Sequence, residues 1–200
     1  MDKILLCFTL PHGIDIQDTI AWKSFSKIEQ MVNLKHVIIK GASICINRNR
    51  CIIGHGLELI KQENLVADRF IFIDYDISFS LEDIQLLLKS GKDIIGGKYL
   101  TRSGKVCAGY WHEDYNGILG KDLDNSLKGI NKVDWLGAGF LMVSKRALED
   151  TEYPWFRPYI ITHGNERSIT SEDLGFCKHM SESGYESYVH CDVNIKHNKD

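Results

Sequence analysis

Two aspartates one residue apart, Asp74 and Asp76, sit in the run FIFIDYDISFS at residues 70–80, directly behind four apolar residues. Carboxylates this near repel one another, and on an extended chain residues i and i+2 project to the same side. The pair is therefore costly unless something positive lies between them. A divalent cation removes the cost by accepting oxygen ligands, and hard oxygen donors suit magnesium or manganese. The plainer alternative is that one aspartate caps the next turn while the other is solvated. Further along, Glu172 and Asp173 follow Ser171, and His190 and His197 lie near the end. Acidic residues at a helix start are common for dipole reasons alone, so Asp173 carries a structural reading beside any catalytic one.

The elements that must position these groups are legible as punctuated apolar runs. KILLCFTL at 3–10 ends at Pro11 and Gly13, as a buried strand opening into a loop would. Residues 16–32 place Ile16, Ile20, Phe25, Ile28 and Met31 at roughly helical spacing, and HVIIKG reads as the second strand. A helix over about Arg50–Glu63 is expected after NRNR, then FIFID as a third strand. Ser80 with Asp83 three residues on has the form of a capping box, and DIIGG at 93–97 is a fourth strand ended by glycines. Strand, helix, strand, helix, strand, helix, strand predicts a mainly parallel sheet covered by helices. Ligands of such sheets bind beyond the carboxyl ends of the strands, where Asp74 and Asp76 fall. After Gly97 the short segments KVCAGYW, KVDWLGAGFLMVS and YESYVH, with a helix over about 171–183, predict a mixed-sheet half facing an acceptor.

Composition bounds the rest. With 200 residues, 44% hydrophobic and three prolines, the chain can bury one core, so one domain is expected, its nucleotide-binding half about 1–100 and its acceptor half about 101–200. A net charge of -3 with scattered basic residues argues against nucleic acid as the main partner. Six dispersed cysteines without a C-x-x-C pair read as free thiols of a reducing, cytoplasmic setting. KILLCFTL is too short to span a membrane. A sequence stopping at HNKD carries no closing signal, so the chain can be one module of a longer polypeptide.

FIFIDYD, NRNR at 47–50, VDWLGAGFLMVSKRALE at 133–149 and SEDLGFCKHMSESGYESYVHCDVNIKH at 171–197, taken in that order, resemble the nucleotide-sugar-dependent glycosyltransferases of the GT-A fold. The resemblance spans nearly the whole chain and implies a GT-A-type α/β domain, Rossmann-like, with a mixed sheet and helices on both faces. It is similar to compact bacterial or large-DNA-virus members. It implies a UDP-sugar donor, a glycan or other hydroxyl acceptor, and manganese or magnesium. Asp76 is then a direct metal ligand, Asp74 touches the ribose or metal-bound water beside Tyr75, and His197 in DVNIKH is a further ligand, with His190 as the alternative. Thr9, Leu10 and Pro11 grip the nucleobase and ribose, and Arg48 contacts base or phosphates. Trp135 and Gly137 form the wall of the sugar site, a reading that competes with plain core packing. In inverting members the aspartate matching Asp173 is the general base.

Two other readings stay open. Apolar run plus D-Y-D-I-S also resembles the nucleophile motif of haloacid-dehalogenase-type phosphatases, with Asp74 attacking phosphorus, although that motif belongs on a first strand. A sugar-nucleotide or glycan-binding module that has lost turnover shares the fold, which alone does not decide activity. A sugar nucleotidyltransferase calls for a G-x-G-x-R-type loop that LPHGID does not match, and P-loop and G-x-G-x-x-G patterns are absent.

Overall fold

The computed structural model describes residues 2–29, 34–53, 65–101, 103–114, 117–163 and 165–198. The first half runs β1 (Ile4–Leu10), α1 (Ile20–Ile28), β2 (Lys35–Lys40), α2 (Ile44–Ile53), β3 (Arg69–Asp74), β4 (Ile77–Ser78), α3 (Leu81–Lys89) and β5 (Ile94–Gly97). The second runs β6 (Ala108–Asp114), β7 (Gly117–Asp122), β8 (Ile130–Val133), β9 (Trp135–Leu136), β10 (Phe140–Ser144), α4 (Lys145–Asp150), β11 (Ile160–His163), β12 (Glu166–Ile169), α5 (Glu172–Glu182), β13 (Ser187–His190) and β14 (Lys196–His197).

Seven strands form the central sheet in the order β2-β1-β3-β10-β5-β13-β8. The pairs β1–β2, β1–β3 and β5–β13 are parallel, whereas β10 lies antiparallel between β3 and β5. The sheet is mixed at its centre, and β10, β13 and β8 from the second half complete what the first half begins. Burial alternates with the pleat, as period-2 side chains demand. Cys7, Phe70, Phe72, Leu141 and Val143 face a core closed by α2, α4 and α5, while Leu6, Phe8, Ile71, Ile73 and Met142 face one closed by α1 and α3.

Three local expectations meet their outcome here. Ser80 and Asp83 do form the capping box that starts α3, and the other Asp83 oxygen accepts from Asn194 N at 2.8 Å. The helix expected over 16–32 is split into a 3-10 turn at Ile16–Asp18 and α1, because Thr19 adopts an extended conformation and caps α1 through Trp22 N; Met31 lies outside the described residues. The helix expected over Arg50–Glu63 begins earlier, at Ile44, so NRNR lies inside α2, and residues 54–63 lie outside the described residues.

Candidate active site

Parallel pairing in register brings Thr9 beside Asp74, so the carboxyl ends of β1 and β3 open together. Asp74 N donates to Gly139 O at 3.0 Å, which sets the loop before β10 against the same corner. Tyr75 and Asp76 form a turn rather than more strand. The two aspartates consequently do not share one face as an extended chain would require. Each has its own partners, which relieves the repulsion that their spacing implies.

Asp74 is held by Thr9 and Arg48. Thr9 Oγ1 donates to Oδ1 at 3.1 Å, and Arg48 Nη2 donates to Oδ1 at 2.9 Å and to Oδ2 at 3.0 Å. Arg48 Nη1 donates to Glu172 Oε1 at 2.5 Å, and its guanidinium lies 5.7 Å from the Phe156 ring. Arg48 is 3% exposed, so the base or phosphate contact expected of it meets a side chain already spent on two carboxylates. Burial works against its charge, but Asp74, Asp173 and Glu172 outweigh that and raise its pKa above the ordinary arginine value. The flanking asparagines are structural as well. Asn47 Nδ2 donates to Leu10 O and Gly41 O, both at 3.2 Å, and a Cβ on Gly41 would stand 2.2 Å from Asn47 Oδ1. Asn49 donates to Phe156 O at 2.8 Å and accepts from Phe156 N at 3.2 Å.

Asp76 belongs to the other half of the site. The small β4–β14 ladder pairs His197 with Ile77, and Asp76 Oδ2 stands 3.0 Å from His197 Nε2. His197 Nδ1 lies 3.2 Å from Leu100 O. A ring N–H at Nδ1 would satisfy that carbonyl and orient the imidazole, with Nε2 facing the carboxylate. The two atoms can close as a hydrogen bond or share a cation. Tyr99 packs edge-on to the His197 ring at 5.7 Å and accepts from Gly139 N at 3.1 Å, tying this half to Asp74 through Gly139. His190, by contrast, ends β13, is buried and takes Asp192 N on Nδ1 at 3.4 Å.

Asp173 opens α5. Its Oδ1 accepts from Leu174 N at 2.9 Å and from the Ser171 hydroxyl, while Oδ2 has no hydrogen-bond partner among the described residues. Its charge reaches Arg48, Tyr99 and Cys107. Burial, with the carboxylates of Asp173 and Asp74, pushes the Cys107 thiol up to about 11, against the hydrogen bonds that it makes, and burial raises the Tyr99 phenol as well. Both are thus neutral surfaces between the aspartates.

The remaining expected residues divide. Leu10 is buried, with its carbonyl taken by Gly41 N at 3.0 Å and by Asn47, whereas Pro11 is exposed. Tyr75 accepts from Ala21 N at 3.2 Å and packs partly buried against the α1/α3 core. Of the two readings of Trp135, sugar wall or core packing, its burial favours the second: it is 8% exposed, with Nε1 donating to Tyr110 O at 3.3 Å. Gly137 is close to protein rather than ligand, since a Cβ there would stand 2.2 Å from Cys107 Sγ and 2.4 Å from Tyr99 Oη. Tyr99, Cys107 and the Leu100 carbonyl escaped the sequence reading because nothing local marks them; only the fold brings them to Gly137, Gly139 and His197.

The donor set can accommodate a divalent cation. Asp76 and His197 supply one oxygen and one nitrogen, and no cluster of three His, Cys, Asp or Glu side chains completes a cage among the described residues. Such a pair leaves positions for phosphate oxygens and water.

No family model matches the chain, and neither does any curated protein. Among solved structures, it is similar to the crystal structure of A197 from STIV, with TM-score 0.62, 17% identity, and coverage of 99% of this chain and 86% of that one. It is also similar to the crystal structure of GalNAc-T7 with UDP, GalNAc and Mn2+, with TM-score 0.59, 9% identity, and coverage of 100% of this chain but 44% of that one. The central mixed sheet, its two helical layers and these likenesses together give the chain a GT-A-type, Rossmann-like α/β fold.

Proposed function

We propose that this chain is a metal-dependent glycosyltransferase that moves a sugar from a UDP-sugar to a hydroxyl acceptor such as a glycan. The observation that carries the reading is the Asp76–His197 pair, 3.0 Å apart across 121 residues of chain, with the His197 ring oriented by a backbone carbonyl. Metal-binding histidines are oriented in this way by their second nitrogen. The mixed oxygen and nitrogen donors favour manganese, with magnesium as the alternative. The fold shared with a protein crystallised with UDP, GalNAc and Mn2+ agrees with this.

Asp74 keeps one oxygen face toward Gly139 and can accept a ribose hydroxyl there, while Thr9 and Arg48 hold its carboxylate still. Backbone around Leu10 and Pro11 borders the base. A cation held by Asp76 and His197 would supply positive charge for the diphosphate that departs. Asp173 takes the proton of the acceptor hydroxyl as that oxygen bonds to the anomeric carbon, and the bond to the diphosphate oxygen breaks with its electron pair leaving on UDP. Neutral Tyr99 and Cys107 let a sugar lie between the aspartates without a competing charge. A phosphatase nucleophile at Asp74 is disfavoured, since both of its oxygens are engaged by Arg48. The six free cysteines agree with a reducing, cytoplasmic setting, and no helix among the described residues is long and apolar enough to cross a membrane.

The test is to incubate the protein with a panel of UDP-sugars and manganese and to follow UDP release, with calorimetry of UDP binding alongside. At least one donor is expected to be hydrolysed slowly with metal and not in chelator. UDP binding with neither hydrolysis of any donor nor transfer to added glycans would favour the binding module; no UDP binding at all would remove the proposal.

A further inference from the structure

One buried cation joins the donor side of the site to the start of the helix that carries Asp173. Arg48 holds Asp74 through Nη2 and Glu172 through Nη1, with the Arg48, Glu172 and Asp74 side chains 4%, 17% and 26% exposed, so the Glu172 bond is the better shielded of the two. Asn49, on the same helix as Arg48, fixes the Phe156 backbone, and the Phe156 ring stacks on Phe176 of α5 at 4.5 Å. The far side of α5 is fixed too, because a Cβ on Gly175 would lie 2.0 Å from Arg157 O. Yet the N-cap Ser171 makes no side-chain cap bond, its hydroxyl being turned to Asp173. The first turn of α5 therefore lacks the usual side-chain anchor and has the Glu172–Arg48 bond in its place.

Resting on the transferase reading above, we infer that Glu172 is a positioning residue: through Arg48 it fixes the first turn of α5, and hence Asp173, relative to Asp74. Glu172 needs no open face toward substrate for this, and its carboxylate is not the group that accepts the acceptor proton. The bond requires an oxygen acceptor on residue 172 more than a full charge. Glutamine keeps that oxygen at the same reach, and alanine removes it.

The test compares Glu172→Ala with Glu172→Gln in two measurements. Amide hydrogen exchange of Gly175 and Phe176 is read in the ligand-free protein, relative to the core amides of β3, so it holds whether or not the chain transfers sugar. Glu172→Ala is expected to speed that exchange by about tenfold or more, the scale set by losing a charge-assisted hydrogen bond, and Glu172→Gln to restore it to within about threefold. In donor turnover, Glu172→Ala is expected to lower kcat by about tenfold with the donor KM and the affinity for UDP plus manganese little changed, and Glu172→Gln to recover most of kcat. Exchange in Glu172→Ala equal to wild type overturns the inference. So does a Glu172→Gln protein with normal exchange but the full loss of kcat, because Glu172 would then act by its charge. If wild type shows neither UDP binding nor turnover, the transferase reading fails separately, while the exchange result still decides whether Glu172 anchors the helix.

Discussion

At the scale of single residues, the site is two arrangements that meet at Gly139. One is Asp76 with His197, and the other is Asp74 with Thr9 and Arg48. Asp173 stands apart from both, bonded only to its own helix start. Its two readings differ widely in size. A general base contributes on the order of 10²–10⁴-fold to rate, whereas a charge at an exposed helix start is worth at most about 1 kcal/mol. Asp173→Asn keeps shape and hydrogen bonding but gives up proton acceptance, so transfer is expected to fall by at least about a hundredfold, with melting temperature and UDP affinity nearly unchanged. Near wild-type transfer would point to a retaining mechanism or another base. His197→Ala separates ligand from scaffold in the same manner: nucleotide affinity in manganese should drop toward the value in chelator, while the metal-free protein melts where wild type does. A lower melting point with intact metal dependence would make His197 structural.

At the scale of elements, α2 carries more of the site than its sequence suggests. NRNR reads as polar and loop-like, so the expected helix started at Arg50; in fact Asn47, Arg48 and Asn49 are all buried within α2. Buried polar residues mimic a solvent face, and periodicity cannot tell the two apart until their partners on β1, β3, α5 and the Phe156 segment are known. Trp135 shows the converse. A lone aromatic ahead of two glycines suits a sugar platform and a core equally, and the pairing of β9, which carries it, with β6 sets it in the core. The paired aspartates, the capping box and most strands were legible because each is written in local apolar runs and spacing. One element-scale prediction follows from Asn49. Replacing it by alanine leaves the buried N–H of Phe156 without its partner, while the Phe156 carbonyl keeps the Cys45 thiol at 2.8 Å, at about 1–3 kcal/mol for the unsatisfied group. Urea unfolding of Asn49→Ala should therefore show a loss of about 1 kcal/mol or more; a loss below about 0.5 kcal/mol would mean that water replaces the side chain.

At the scale of the whole molecule, the antiparallel insertion of β10 between β3 and β5 is what makes one site from distant segments, since it presents Gly139 to Asp74 and Tyr99. Strand order of this kind is a long-range pairing that no local pattern encodes, which is why the strands and a mainly parallel sheet are legible in local runs but their order is not. The same assembly gathers four carboxylates, Asp74, Asp76, Glu172 and Asp173, toward one end of the sheet, where the buried cation Arg48 is already neutralised by ion pairs. On the transferase reading, a diphosphate entering alone meets net negative charge, and a divalent ion entering alone finds Asp76 and His197 with no cluster of three His, Cys, Asp or Glu among the described residues. Each ligand should therefore bind weakly by itself and strongly with the other, a coupling visible in stability because ligands that bind only the folded state raise it. At concentrations about a hundredfold above the joint dissociation constant, the gain is about 2.7 kcal/mol. For a domain of this size each kcal/mol moves the melting temperature by roughly 2–4 °C, so UDP with manganese should raise it by roughly 5–10 °C. UDP or manganese alone at the same concentrations should give a small fraction of that shift, and in His197→Ala the joint shift should collapse toward the sum of the separate ones. A full shift from UDP in chelator would show that the nucleotide is held without a shared cation, and would transfer its recognition to the protein side chains and backbone at the ends of β1 and β3.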